Sequence, residues 1–270
     1  MHGHRWMAAA IGVAAPLLAR DGAEFGTVKV VQLDAGNRAD SVDLSLDGAT
    51  SGVVLAGGNR GDYDLDFGRS NDVLAGALVA AVAERSRDNS AQGDAMGAFF
   101  ATSAHDRTTA GRYYLSLFNS PDAGEVNIDT SFGWFPFESF RGGLALNETN
   151  GGATTELIGS PGMELGEQWV DLGGGRYAVD LRALGADASR GVLLTHGAKN
   201  EDNFALSAAN ADGTFTVFVH DNGAQGQSYE ADPASFVFVP AAGVGSDRIA
   251  AVARVNSDGV TRRKSAYSPA

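Results

Sequence analysis

The chain repeats itself. Val42-Asp43-Leu44-Ser45-Leu46 is followed by Gly52-Val53-Val54-Leu55, and Val179-Asp180-Leu181-Arg182-Ala183 is followed by Gly191-Val192-Leu193-Leu194. The polar loop GGNRGDYDLDF at 57–67 has its counterpart in HGAKNEDNFAL at 196–206. Further on, RDNSAQG at 87–93 matches HDNGAQG at 220–226, and each is followed by an aromatic run, GAFFATSA at 97–104 and SFVFVPAA at 235–242. The matches keep one order at offsets of 137, 139 and 133 residues. Self-similarity at a near-constant offset marks a duplicated structural unit. A weaker opening pattern occurs three times, at Arg5–Ala10, Arg141–Leu146 and Arg248–Ala253. The predicted organisation is a first unit over 1–104, a β-hairpin or strand insertion over 105–140, a second unit over 141–245, and a start of a third repeat or an exchanged strand with a tail over 246–270.

Composition says what such units are made of. Glycine supplies 36 of 270 residues, against the ~7% of ordinary domains, and 23 of the 33 acids are aspartate. Both are turn formers and weak in helix and strand interiors. Between the turns lie short β-branched or aromatic runs such as Tyr177–Leu181, Thr214–His220 and Ser235–Val239, which read as strands. Leu74–Arg85 (LAGALVAAVAER) has helical propensity, but its counterpart in the second unit is a strand, so it is read as a strand. Arg112–Phe118 and Val126–Phe132 flank a turn-rich stretch that reads as a hairpin or longer β-loop. The expected fold is all-β: two tandem jelly-roll-like antiparallel sandwiches, or one large sandwich that both units share.

Charge and cysteine narrow the function. The formal charge is −13, with only three lysines; such a chain neutralises few phosphates, which argues against nucleic acid as a partner. There is no cysteine, hence no disulfide framework, thiolate metal site or thiol nucleophile. Residues 1–19 fit a secretion leader or the first strand of the fold, and the repeat favours the strand. No segment reads as a membrane span.

The string from Asn71 to Ala104, the later SFGWFPFESFRGG, and NEDNFALSAANADGTFTVFVHDNG followed by DPASFVFVP resemble repeat regions of large secreted proteins of planctomycetes and related marine bacteria. The resemblance covers most of the chain. It implies an extracellular or cell-surface setting and brings no catalytic residues with it.

Several residue groups are candidates for chemistry. Asp62, Asp64 and Asp66 alternate with Tyr63, Leu65 and Phe67, which on a strand places three carboxylates on one face. They fit either a solvated acidic face or a calcium site, and calcium is the one cofactor the residues suggest. His196, Asn200 and Asp202 in one polar loop, and His220, Asp221 and Asn222 in another, fit either turn chemistry or a set of groups that bind hydroxyls or a metal. Trp134 belongs to an aromatic run, Phe132–Phe140, that fits either a strand buried on both faces or a stacking surface for sugar rings. Arg60-Gly61-Asp62 is an adhesion tripeptide short enough to arise by chance.

No Gly-x-Ser-x-Gly elbow, His-Glu-x-x-His motif or phosphate-binding glycine loop occurs, and Glu164 and Glu167 make a poor acid–base pair. The leading expectation is a non-enzymatic extracellular β-protein with a structural, adhesive or self-assembling role, forming an oligomer or filament through its terminal strands. A glycan-binding module, with a polysaccharide as partner, is the alternative, and a polysaccharide-active enzyme comes third.

Overall fold

The computed structural model describes residues 24–33, 39–47, 54–57, 62–66, 73–86, 99–105, 112–119, 124–125, 128–147, 152–198, 203–221, 229–240, 251–255 and 261–266. Nineteen strands run through them: β1 (Glu24–Leu33), β2 (Ala39–Asp47), β3 (Val54–Gly57), β4 (Asp62–Asp66), β5 (Gly76–Ser86), β6 (Phe99–His105), β7 (Arg112–Asn119), β8 (Gly124–Glu125), β9 (Ile128–Pro136), β10 (Arg141–Leu146), β11 (Glu156–Gly159), β12 (Trp169–Asp171), β13 (Arg176–Val179), β14 (Gly191–Ala198), β15 (Phe204–Ala209), β16 (Phe215–His220), β17 (Ala234–Pro240), β18 (Ala251–Val255) and β19 (Thr261–Ala266). The fold is all-β with antiparallel sheets packed face to face. Among the described residues no helix is long and apolar enough to cross a membrane.

Three sheets form the body of the molecule. Sheet A has the order β2-β1-β9-β5, sheet B the order β11-β10-β17-β14-β6-β7-β4-β3 with β8 beside β7, and sheet C the order β12-β13-β16-β15. They stack as layers with B in the middle. Strand β17 shows why: Phe236 and Phe238 enter one core with Trp169, Tyr177, Phe215 and Val217 of sheet C, while Val237 and Val239 enter another with Ala77, Val79 and Phe135 of sheet A. Successive strand residues face opposite ways, so a strand covered on both faces must be apolar throughout. ASFVFVP meets that condition, with every residue but the last buried.

Close approach of β10 to β17 requires glycine: a Cβ at Gly142 would overlap the Phe236 carbonyl oxygen. Sheet B also joins the two halves of the sequence. Its only parallel contact among the described residues, Gly197 opposite Thr102 and Ala198 opposite Ser103, places β14 beside β6.

The repeat survives as an order of strands but not as a pairing pattern. In the second stretch β13 pairs with β16 and β14 with β17, whereas β5 and β6, the sequence counterparts of β16 and β17, pair with β9 and β7. The intervening residues explain the difference, because 105–140 give β7 to sheet B and β9 to the interior of sheet A. Of the expected hairpin or longer β-loop, a short hairpin is present, with Phe118 opposite Glu125 and Asn119 opposite Gly124 in β7 and β8; β7 pairs further with β4 and β6, and β9 with β1 and β5. LAGALVAAVAER is strand β5, entered through a single 3-10 turn at Val73–Ala75.

Candidate functional site: an aromatic platform on sheet C

Sheet C covers sheet B with one face and presents the other to solvent. In β16 the alternation is complete: Phe215, Val217 and Val219 are buried, while Thr216, Phe218 and His220 face outward at intermediate exposure. The neighbouring strand brings Phe204 opposite His220 and Leu206 opposite Phe218. The Phe204 and His220 rings stack with centroids 4.9 Å apart and planes 4° from parallel. Cross-strand aromatic pairs of this kind stabilise a sheet by roughly 0.2–1 kcal/mol.

A third ring closes over this pair. Tyr229 bridges to His220 across the backbone, and its ring lies 4.5 Å from His220 and 5.7 Å from Phe218. Its position is set by main-chain contacts: the Glu230 amide donates to the Val219 carbonyl at 3.0 Å, and the Val219 amide donates to the Gly175 carbonyl at 2.8 Å. Gly175, with φ of +66°, allows this approach, since a Cβ there would overlap the Glu230 backbone. Glycine adopts such a conformation without penalty. Tyr229 and Leu206 remain 47% and 52% exposed. Burial holds the His220 imidazole below its ordinary pKa, which favours an uncharged ring between Phe204 and Tyr229. Arg176, opposite Phe218 on β13 and exposed, adds a cationic donor at the rim.

The candidate residues read from the sequence are distributed over the molecule. His220 lies in the platform, and Asp221 follows it at the end of β16 with intermediate exposure. Asn200, Asp202 and Asn222 lie outside the described residues. His196 is a β14 strand residue, 4% exposed; its Nδ1–H donates to the Gly197 carbonyl at 2.7 Å, and burial lowers its pKa to about 4. Trp134, 3% exposed, is a core residue of β9, hydrogen-bonded to the Tyr113 hydroxyl. Its neighbours Phe132, Phe135 and Phe137 are equally buried, so this aromatic run packs on both faces. Asp62, Asp64 and Asp66 are on β4, opposite Ser116, Tyr114 and Arg112 of β7; their side chains lie outside the described set. Among the described residues no three His, Cys, Asp or Glu side chains gather as metal ligands would.

Sequence reasoning missed Phe204, Leu206, Phe218 and Tyr229. The alternation FTVFVH already placed Phe218 and His220 on one face. Phe204 required knowledge of register, and Tyr229 required the path of the chain after β16. The chain matches no known family model, no characterised protein and no solved structure.

Proposed function

We propose that this chain is a non-enzymatic β-protein with a structural and adhesive role at a cell or particle surface outside the cell, and that it holds sugar rings on the outer face of sheet C. The reading rests on the platform: two parallel, half-buried rings and a tilted, exposed third, on the outer face of the sheet and bordered by polar groups. A pyranose presents an apolar C–H face and a rim of hydroxyls. The first suits an aromatic face, and the second suits Tyr229, His220, Arg176 and Asp221 as hydrogen-bonding partners. The sequence supports adhesion over turnover, since it carries none of the catalytic motifs sought above.

The test is a screen of the whole chain against immobilised polysaccharides, combined with an assay for new reducing ends and new double bonds. Binding without product formation is the expected result. Release of product would favour the enzyme reading, and no binding to any polysaccharide would contradict the adhesive one.

Self-assembly through the C-terminal strands is a second reading, and β18 and β19 favour it. They pair antiparallel in a sheet separate from the other three, and an isolated two-stranded hairpin is marginal in water. Addition to the edge of a neighbouring molecule would stabilise it. Deleting 246–270 is expected to lower the solution mass of any assembly; unchanged mass and stability would exclude this role.

A further inference from the structure

The outer face of sheet C has a relief as well as rings. Strand register lines its side chains up in rows that cross the strands, about 6.6 Å from one row to the next. The platform is the first row, with Tyr229, His220 and Phe204 side by side. The second row runs through Arg176, Phe218 and Leu206. Leu172 extends it by one strand, since its amide donates to the Arg176 carbonyl at 2.8 Å. The third row is small: Val170, Ala178, Thr216 and Ala208 stand opposite one another across all four strands. The fourth is polar, where Asp180, Thr214 and Asn210 continue the same alternation; the Asn210 amide donates to the Thr214 carbonyl at 2.8 Å. Alternation puts all four rows on the solvent side, because Tyr177, Val179, Val217 and Ala205 between them are buried toward sheet B.

The rows differ in height and chemistry. The first two form a deck of large, mostly apolar side chains, with Leu172 and Leu206 49% and 52% exposed. The small row is a step down from that deck, and its four residues are half-buried. It crosses the full sheet, about 14 Å at the usual strand spacing. The polar row closes the trough on the far side. There Arg182 clasps Asp180, with Nε 2.9 Å from Oδ1 and Nη2 2.7 Å from Oδ2, and its Nη1 donates to the Asp212 carbonyl at 3.0 Å. The Asn210 side-chain amide donates to the Thr214 and Thr216 hydroxyls at 2.9 and 3.0 Å. This bank therefore presents polar groups already fixed in place, with the Asp180 charge matched by Arg182.

We infer that the trough over Val170, Ala178, Thr216 and Ala208 is a subsite for neutral sugar branches on an extended glycan whose main chain crosses the deck. The inference rests on the sugar-binding reading of the platform, which supplies the main chain. A chain lying on the deck stacks its apolar ring faces and turns its hydroxyl edges sideways. One of those edges overhangs the trough. An unbranched chain leaves the trough to water. A single-ring branch fills it, resting on alanine and threonine and meeting Asn210, Thr214 and the Asp180–Arg182 pair with its hydroxyls. A net charge of −13 on the chain repels an anionic branch, so the branch is uncharged.

The experiment measures calorimetric affinity of the full chain for matched pairs of oligomers. One pair is cellotetraose and the xyloglucan heptasaccharide, which adds xylose branches to the same main chain. The other is mannotetraose and its galactose-branched form. The branched member of at least one pair is expected to bind at least fivefold more tightly. Ala178→Phe and Ala208→Phe each fill the trough from the solvent side with a residue that suits a strand. In each, the ratio of branched to linear affinity should fall to about one, with unfolding midpoints confirming the fold. Asn210→Ala should lower the ratio without filling the trough. Equal binding of branched and linear forms by the wild type, or a ratio that survives both phenylalanine variants, would overturn the subsite and leave the platform reading standing. So would tighter binding of a glucuronate-branched xylan oligomer than of linear xylan, or a wild-type dimer that Ala178→Phe dissociates, since a second copy would then occupy the trough. Absence of binding to every oligomer and polysaccharide would overturn both readings.

Discussion

His196 shows how much one buried side chain can reveal. Its strand neighbours Val192 and Leu194 pack toward sheet A, and alternation sends the imidazole the same way. Burial holds its pKa at about 4 in the folded protein, below the ordinary 6.5. The ring is therefore neutral in the native state, and the unfolded chain binds the proton first as the pH falls. The resulting stability is fully present above about pH 6.5 and is lost progressively toward pH 4. A shift of this size corresponds to about 3 kcal/mol. His196→Gln removes the titration while keeping a polar side chain. The stability difference between wild type and this variant, from urea unfolding, should shrink by up to that amount between pH 7.5 and pH 4. A difference independent of pH would mean that the ring is not held neutral.

At the scale of elements, β5 is the edge strand of sheet A, and an edge leaves alternate backbone groups unpaired. Its register places Gly76 opposite Pro136 and Leu78 opposite Trp134. Proline cannot donate, so Gly76 and Leu78 direct their carbonyls away from β9. Sheet B supplies their donors: the Tyr113 hydroxyl reaches the Gly76 carbonyl at 2.6 Å, and Ser235 Oγ reaches the Leu78 carbonyl at 2.9 Å. Burial pushes the Tyr113 hydroxyl's pKa up, which keeps it protonated and able to donate. The other interface is tied in the same way, with Thr195 donating to the Ala205 carbonyl and Ser207 to the Leu193 carbonyl. Tyr113→Phe and Ser235→Ala each leave a buried carbonyl without its donor. Each is expected to lower unfolding free energy by about 1–3 kcal/mol. No loss in chemical denaturation would show that the edge is satisfied by other means.

For the whole molecule, local sequence carried the strands further than their arrangement. FTVFVH and SFVFVP are legible as strands because period and residue type agree. The Phe132–Phe140 run fitted either a strand apolar on both faces or a stacking surface for sugars, with Trp134 a ligand candidate, and the structure buries Phe132, Trp134, Phe135 and Phe137. Pairing was not legible. Nothing local to β7 or β9 says that one enters sheet B and the other sheet A, because that choice depends on residues far away in sequence. The site shows the same division. His220 was found from its polar neighbours, whereas Phe204 becomes its partner only through the β15–β16 register, and Tyr229 only through the space left by Gly175. Three layers make the outer face of sheet C a rigid support, and the adhesive account depends on that face.

Phe204→Ala combined with Tyr229→Ala tests this most directly, since both side chains lie on the solvent side of the sheet. The measurement is affinity for the best polysaccharide bound by the wild type, taken with the unfolding midpoint of each protein. The account predicts a loss of at least tenfold in affinity with a midpoint within a few degrees of wild type. Unchanged affinity in a folded double variant would contradict it.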